Sequence, residues 1–305
     1  MNPTSSLERW PSLPWEEWKD TCDTLHLWTQ VVGKVKLTLC PSMNELWQVA
    51  FYPTSRGLTT GRIPYGAGAF VVTFDFVDHA IFVSPSDGAT RSMQLTARSV
   101  AEFYGDFMTL LRDLGVDVRI TLLPSEIPDP IRFDQDDAHR AYDPAYARRW
   151  WDIMLQVSLI LDRYRSSFAG KSSPVLFWWG SFDLNTVRYS GRPAPLMTGV
   201  PRFMQLAEDQ ENMCTGFWPG NPLASGLLIG EPCFYAYCYP EPEGLREVRV
   251  RPEAARYDTR VGEFLLPYEE VRRASAPDQA IIEFFTSAYE TAAELAKWDS
   301  VQKVS

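Results

Sequence analysis

The sequence predicts an α+β fold, a mainly antiparallel sheet with long helices packed on one face, and suggests two pseudo-repeated halves. Three observations lead to this prediction. Apolar residues recur at a spacing of three to four in several long segments, as in amphipathic helices. Shorter segments rich in Val, Ile, Phe and Tyr are typical of strands. Tight turns join successive strand segments, and such connections favour antiparallel pairing.

Four long helices are expected. The first covers Trp15–Gly33, because Pro14 precedes it and glycine commonly ends a helix. Asp143-Pro144 is a typical helix start, with a capping carboxylate followed by proline. The apolar stripe of the helix that it opens continues to Phe168. The other two helices are expected over Thr96–Leu114 and Pro277–Trp298.

Strands are expected where β-branched and aromatic residues cluster between turn residues. Asp78-His79 would form the tight turn between two of these strands. The segments are Lys34–Leu39, Leu46–Tyr52, Ala69–Val77, Ala80–Val83, Val116–Leu123, Val175–Asp183, Pro232–Tyr239 and Glu263–Leu266.

A Pro- and Asp-rich connector, residues 124–142, divides the chain into two similar halves. Residues 13–123 and 143–300 each run from a helix through strands to a second helix. We expect these halves to form a single α+β domain over residues 13–300, preceded by a loose arm at residues 1–12.

An excess of acidic side chains limits the possible partners. The chain has 29 Lys and Arg against 39 Asp and Glu, a net charge of −10, so neither nucleic acid nor an anionic membrane is expected as a partner. Asp134–His139 lacks the glycine and glutamate of a calcium loop and is expected to be a solvated acidic segment. No nucleotide or metal motif is complete, so no cofactor and no metal is expected. Five scattered cysteines predict no disulfide framework, and no apolar segment reaches membrane-spanning length. The cytoplasm is the expected location.

One stripe of the first helix carries polar side chains suited to chemistry. Cys22, His26 and Gln30 are four residues apart and so lie on one side of a helix, at the edge of its apolar face. A histidine at that position could act as a general base. The alternative is a core histidine that is hydrogen-bonded to a backbone carbonyl or to Gln30.

Strand alternation would place Phe177, Trp179, Ser181 and Asp183 on one face of the segment Val175–Asp183. Asp183 would then serve as an acid or base, or as a ligand anchor. An Asp–Arg structural pair with Arg188 or Arg192 is the competing interpretation.

Two further aromatic groups favour a ligand site. Tyr235, Tyr237 and Tyr239 alternate onto one face of their strand, as in many binding sites, although the same face could pack under a helix. Trp218 lies in a rigid aromatic segment between two glycines, where it would form a pocket lid or an interface plug.

Basic side chains near these motifs suggest an anionic ligand. Arg56 in a turn and Arg188 beyond Asp183 could each clamp a carboxylate or phosphate, and Lys34 follows the first helix as a further anion contact. Glu211, before the Gly-Phe-Trp-Pro-Gly segment, is a candidate for a catalytic carboxylate.

Several long segments resemble a bacterial family that is classed as a domain of unknown function. The similarity covers roughly residues 13–298. It implies a single cytoplasmic domain and marks the motif residues, and it implies no particular reaction. The segments are Thr24–Lys34, Gly170–Asp183, Gly216–Gly220 and Phe234–Pro242, with Arg56–Thr60 and Phe74–His79.

Two functional hypotheses follow. The first is a small-molecule-binding protein with an aromatic-lined pocket, which as an enzyme would use His26, Asp183 and Glu211 for acid–base chemistry on a small, anionic organic substrate. The second is a non-catalytic interaction or scaffold protein, assembled as a homo-oligomer through exposed aromatic loops.

Overall fold

Two antiparallel sheets and six helices form the part of the chain that the computed structural model describes, residues 8–200, 202–220 and 229–299. The α+β class is confirmed. The helices are α1 (Trp15–Leu39), α2 (Val100–Asp113), α3 (Pro144–Ser166), α4 (Arg202–Ala207), α5 (Tyr268–Arg273) and α6 (Pro277–Leu295). The strands are β1 (Tyr52–Pro53), β2 (Gly57–Tyr65), β3 (Gly68–Asp75), β4 (Ala80–Pro85), β5 (Arg91–Gln94), β6 (Leu176–Trp178), β7 (Asp183–Pro193), β8 (Gln210–Trp218), β9 (Cys233–Tyr239), β10 (Arg256–Asp258) and β11 (Glu263–Pro267).

The first sheet is a simple meander of five strands, in the order β1-β2-β3-β4-β5. Alternate residues of its central strands, such as Val72 and Phe74, are fully buried. Their apolar side chains join one continuous hydrophobic core with α1, α2 and α3.

The second sheet has six strands in the order β10-β11-β9-β8-β7-β6. Helices α3 and α6 pack on one face of its central strands, where Leu184, Phe217 and Phe234 are fully buried in the same core. The sheets meet where Phe51 and Phe177 exchange two backbone hydrogen bonds of 2.9 Å. The opposite face of the second sheet therefore remains for a ligand site.

Helix α1 is longer than the sequence indicates. It continues through Gly33 to Leu39, so the predicted strand Lys34–Leu39 is wrong. Val32 and Val35 are fully buried on the helix, and this packing overrides the strand preference of β-branched residues. Gly33 does not end the helix. A Cβ at this position would lie 2.2 Å from the ring of Trp179, so the glycine allows a tryptophan to pack against the helix backbone.

Two other strand predictions are wrong. Leu46–Tyr52 contains the end of a short 3-10 helix and only one strand residue, Tyr52. Residues 116–123 form no strand; the N–H of Phe133 donates to the carbonyl of Leu122 instead.

Most of the other predicted helices and strands agree better with the structure. The strands predicted at 69–77, 80–83, 232–239 and 263–266 correspond to β3, β4, β9 and β11, and the other three helices correspond to α2, α3 and α6. Asp143 caps α3 by accepting hydrogen bonds from the N–H groups of Ala145 and Tyr146. Strands β2, β5, β7, β8 and β10 are not among the predicted segments, apart from the first residue of β7.

The structure adds detail to two parts of the predicted domain scheme, the N-terminal arm and the connector. Residues 1–7 and 300 lie outside the described residues, but Trp10 is buried against Tyr268, whose hydroxyl donates to the carbonyl of Pro11 at 2.7 Å. The connector is irregular, with one short 3-10 helix, yet Asp136 within it is 1% exposed and accepts hydrogen bonds from His139. Asp136 is therefore an interior residue. The pseudo-repeat of the halves stays a prediction.

All five cysteines are free. In the described ranges, no helix has both the length and the apolar character needed to cross a membrane.

Candidate functional site

A cleft of about 500 Å³ lies on the face of the second sheet that α3 and α6 do not cover. Strands β7, β8 and β9 form its floor, and β11 forms one side. Its walls come from four connecting segments, at residues 45–49, 125–126, 178–181 and 207–208. Strand alternation explains the floor, since Asp183, Asn185, Val187 and Tyr189 face the cleft while the residues between them face the helices.

The lining of this cleft is both acidic and aromatic. Among the described residues, no Lys, Arg or His contributes to it. The five carboxyl side chains are Glu45, Glu126, Asp183, Glu208 and Glu263, and the seven aromatic side chains are Trp47, Trp178, Trp179, Tyr189, Trp218, Tyr235 and Tyr237.

Asp183 is the centre of a hydrogen-bond network on the floor. Its carboxylate accepts short hydrogen bonds from the hydroxyls of Ser181 and Tyr235, and a third of 3.2 Å from the Asn185 amide. The indole N–H of Trp178 donates to Asn185 Oδ1 at 2.9 Å, which fixes the orientation of that amide. Burial raises the pKa of Asp183, and the hydrogen bonds from its three donors partly offset this increase.

Two glycines of the sequence motifs make room for side chains of the cleft. A Cβ on Gly216 would lie 2.6 Å from the hydroxyl of Tyr235, which crosses β8 at this point to reach Asp183 on β7. A Cβ on Gly180 would lie 2.1 Å from Glu126 Oε1. Close approach of these two cleft side chains therefore explains Gly180 of the Gly-Ser-Phe-Asp segment and Gly216 of the Gly-Phe-Trp-Pro-Gly segment.

Glu126 and Glu263 differ from the other carboxyls of the cleft. Neither accepts a hydrogen bond or forms an ion pair within the described residues, although Lys34 acts on Glu126 at longer range. Glu126 is open to the cleft and has a left-handed backbone, with φ of 61°. Desolvation, and then the charge of Asp183, raise the pKa of Glu126 to about 7 and that of Glu263 to about 8.

A second group of carboxyls lies toward the far end of β7. Glu208 accepts hydrogen bonds from Tyr237 at 3.0 Å and Asn212 at 2.5 Å, and burial raises its pKa. Glu45, with φ of 56°, accepts from the Tyr189 hydroxyl at 2.5 Å and pairs with Lys171 at 2.6 Å.

His26, Gln30 and Lys34 lie behind the cleft wall and do not line it. His26 Nε2 is 2.9 Å from the carbonyl of Gly180, and burial lowers the His26 pKa to about 4, so the ring is neutral at physiological pH. Gln30 both donates to and accepts from the backbone of Ser125, and Lys34 donates to its hydroxyl at 2.7 Å. These three side chains position the two loops that carry Gly180 and Glu126.

The other sequence candidates lie away from the cleft. Arg56 pairs with Asp75 and Asp78 on the first sheet. Arg188 lies on the helix side of β7, where its guanidinium is 3.4 Å from the ring centroid of Tyr164. Glu211 also faces away from the cleft and pairs with Arg192 at 2.7 Å.

The predicted face of Val175–Asp183 is corrected in one respect. The segment is a hairpin, with β6, a turn over residues 179–182 and the start of β7, so its side chains do not alternate continuously. Phe177 belongs to the core, whereas Trp178, Trp179, Ser181 and Asp183 all line the cleft.

Sequence patterns also miss several cleft residues. Glu45 and Glu126 lie in irregular segments, where no periodicity marks them, and their left-handed backbone conformations carry no sequence signal. The cleft face of β7 is polar, so it lacks the apolar alternation by which a strand is recognised. The other cleft residues that sequence patterns do not identify as site residues are Trp47, Trp178, Asn185, Tyr189, Glu208 and Glu263.

Together, the fold and the site define an α+β protein with an acidic, aromatic cleft on the open face of an antiparallel sheet. The chain belongs to the family of unknown function DUF5996, whose model matches residues 10–304. Comparison with curated proteins and with solved structures found no match to this chain. In the part of the chain that the structure describes, no three His, Cys, Asp or Glu side chains are grouped to hold a metal ion.

Proposed function

We propose that the protein binds a small organic cation, a protonated amine or a quaternary ammonium compound, in this cleft. The observation that carries the proposal is the lining, in which carboxyl and aromatic side chains occur together without a basic residue in the described ranges. Carboxylates supply the opposite charge, and aromatic faces attract cations by about 0.5–2 kcal/mol per ring. The sign of the ligand charge is therefore opposite to that expected from Arg56 and Arg188.

A cation would relieve the main electrostatic difficulty of this cleft. Burial, and then the charge of Asp183, raise the pKa values of Glu126 and Glu263, so ionised Asp183 disfavours the ionised forms of both. A cation placed among them would stabilise all three carboxylates at once. An anion would meet the opposite effect, since no basic side chain lines the described cleft: Lys34 lies behind its wall, and Lys171 is already paired with Glu45.

Any reaction on the bound molecule would use carboxyl groups rather than His26. The raised pKa of Glu126, at about 7, suits proton exchange near neutral pH, and Glu126 faces the cleft. His26 is separated from the cleft by the Gly180 backbone that it contacts. The proposed binding of a cation does not depend on catalysis by Glu126, which is a separate part of the proposal.

The interaction-protein hypothesis stays a prediction, but one of the segments that motivated it is not exposed. Phe217 is fully buried in the core, and Trp218 lines the cleft, so the Gly-Phe-Trp-Pro-Gly segment is not an exposed aromatic tip. A homo-oligomer and a cytoplasmic location stay predictions.

Calorimetric titration with choline and with its uncharged carbon isostere tests the charge preference directly. The two molecules have nearly the same shape, so we expect choline to bind about tenfold or more tightly if the cleft recognises a cation. Quenching of tryptophan fluorescence would locate binding near the four cleft tryptophans. Glu243→Gln, an exposed site outside the cleft, is the control for the overall negative charge. Equal binding of the two isosteres, or tighter binding of acetate or phosphate, would exclude the proposal.

A further inference from the structure

Four of the five carboxyl groups of the cleft lie toward its two ends, and the fifth, Glu263, lies on the side formed by β11. At one end, Glu126 lies against Gly180, and the neighbouring Ser181 donates a hydrogen bond to Asp183. At the other end lie Glu45 and Glu208, which are held by Tyr189 and Tyr237. The hydroxyls of Tyr235 and Tyr237 donate to Asp183 and Glu208, and the centroids of the two rings are 6.4 Å apart. Two ammonium groups joined by a short methylene chain match this spacing better than a single ammonium group.

Between these ends, strands β7 and β8 present apolar side chains to the cleft. Val187 and Cys214 face the cleft in the middle of β7 and β8, where they are paired across the sheet. The rings of Tyr235 and Tyr237 run along the neighbouring strand, stacked with centroids 6.4 Å apart and planes inclined by 12°. Tyr235 contacts the first carboxyl group and Tyr237 the second, so the stacked pair connects the two ends with an aromatic surface.

The far end has one carboxyl group without a cation. Lys171 pairs with Glu45 at 2.6 Å. Glu208 accepts hydrogen bonds only from the uncharged groups of Tyr237 and Asn212 and forms no ion pair within the described residues. A second positive charge on a ligand would therefore be placed most favourably beside Glu208.

We infer that the cleft takes an aliphatic diamine or polyamine, with one ammonium group beside Asp183 and Glu126, methylene groups along the tyrosine pair, and a second ammonium group beside Glu208. This inference depends on the proposed binding of organic cations. It adds the requirement for two charges separated by an apolar chain, which matches the acidic, apolar and acidic order of the cleft.

The test compares butylamine, putrescine and spermidine by calorimetry with the full chain. Putrescine has the butylamine chain with an amine at each end, so it isolates the second charge. We expect spermidine or putrescine to bind about tenfold or more tightly than butylamine. Glu208→Gln should abolish this advantage, and chemical denaturation of the variant checks that it is folded. Glu126→Gln should weaken all three amines.

The outcomes separate this inference from the proposed function. If choline and butylamine bind but putrescine and spermidine bind no more tightly, the diamine inference fails and the proposed function stands. If no cation binds, both fail. Glu243→Gln, with the same loss of charge outside the cleft, should leave the diamine advantage intact. If it reduces that advantage as much as Glu208→Gln does, the binding reflects overall charge and the inference is overturned.

Discussion

The carboxylate of Glu126 occupies the space in which residue 180 would carry its side chain. Glu126 Oε1 is 2.1 Å from the position of a Cβ on Gly180, and the two residues come from segments that are far apart in the chain. Both backbones are held from behind, Gly180 by His26 and the residue before Glu126 by Gln30. The shape of this cleft wall thus depends on one absent side chain and on two polar side chains of α1.

Gly180→Ala is expected to weaken cation binding with little loss of stability. The added methyl group would displace the Glu126 carboxyl, which can move because it is the end of a flexible side chain. We expect affinity for choline to fall about tenfold, measured by calorimetry. Gly105→Ala is the matched control, because nothing lies within 4 Å of a Cβ there and alanine should stabilise α2 by roughly 0.5–1 kcal/mol. Unchanged affinity in Gly180→Ala would argue against a role for Glu126 in binding.

Tyr235→Phe tests the network around Asp183. The change removes one donor to a buried carboxylate and keeps the ring, so we expect the free energy of unfolding to fall by about 1–3 kcal/mol at neutral pH. Tyr257→Phe removes a similar hydroxyl from Glu241 at an exposed site, and its effect should be about 0.5 kcal/mol or less. Chemical denaturation measures both. Equal effects of the two substitutions would contradict the importance of the buried network.

Without a ligand, the stability contributed by Glu126 and Glu263 should decrease as pH rises above about 5. Between the unfolded-state pKa of about 4.3 and the folded-state values of about 7 for Glu126 and about 8 for Glu263, the folded protein binds more protons than the unfolded chain. The contribution of these two groups to the free energy of unfolding therefore falls with pH across this window. Glu263→Gln, which is uncharged at every pH, should flatten the dependence, whereas Glu243→Gln should not. Chemical denaturation at several pH values measures the slope of the free energy of unfolding against pH. A slope that Glu263→Gln leaves unaltered would show that Glu263 does not titrate in this window.

Cation affinity should show the opposite pH dependence. A quaternary ammonium ion carries the same charge at every pH, so only the protein titrates in the experiment. Since the cation favours ionised carboxylates, choline affinity should increase as pH rises through the pKa values of Glu126 and Glu263, and binding at neutral pH should release protons. Calorimetry in buffers of different ionisation enthalpy measures the number released. Proton uptake, or none, would be inconsistent with this arrangement.

The sequence predicts the side chains of regular strands better than those of loops. The alternation of Tyr235 and Tyr237 follows from two-residue periodicity, and both line the cleft. Glu126 lies beside Asp183 only because a left-handed backbone and a side-chain contact from Gln30 hold its loop in place. No local pattern encodes such a contact. Sequence patterns place Lys34 on a strand for a related reason. The residues whose packing keeps this part of α1 helical are distant from it in the chain.

The acidic character of the cleft is likewise not evident from sequence patterns. Arg188 is near Asp183 along β7, but the two residues are separated by an odd number of positions and so face opposite sides of the sheet. Which of the two side chains faces the cleft depends on where β7 begins. Once the hairpin turn over residues 179–182 is known, Asp183 belongs to the cleft and Arg188 to the helix interface.

His26→Gln distinguishes a positioning residue from a general base. Glutamine can still donate to the carbonyl of Gly180, so we expect cation affinity to fall by about tenfold or less through a shift of the Gly180 loop. The pH dependence of affinity between about pH 6 and about pH 9 should keep its shape, because burial lowers the His26 pKa to about 4 and the ring does not titrate in that range. A general base would instead contribute its own titration to the profile. Loss of one titration step in His26→Gln, seen in choline binding or in any turnover, would return His26 to the chemistry of the site.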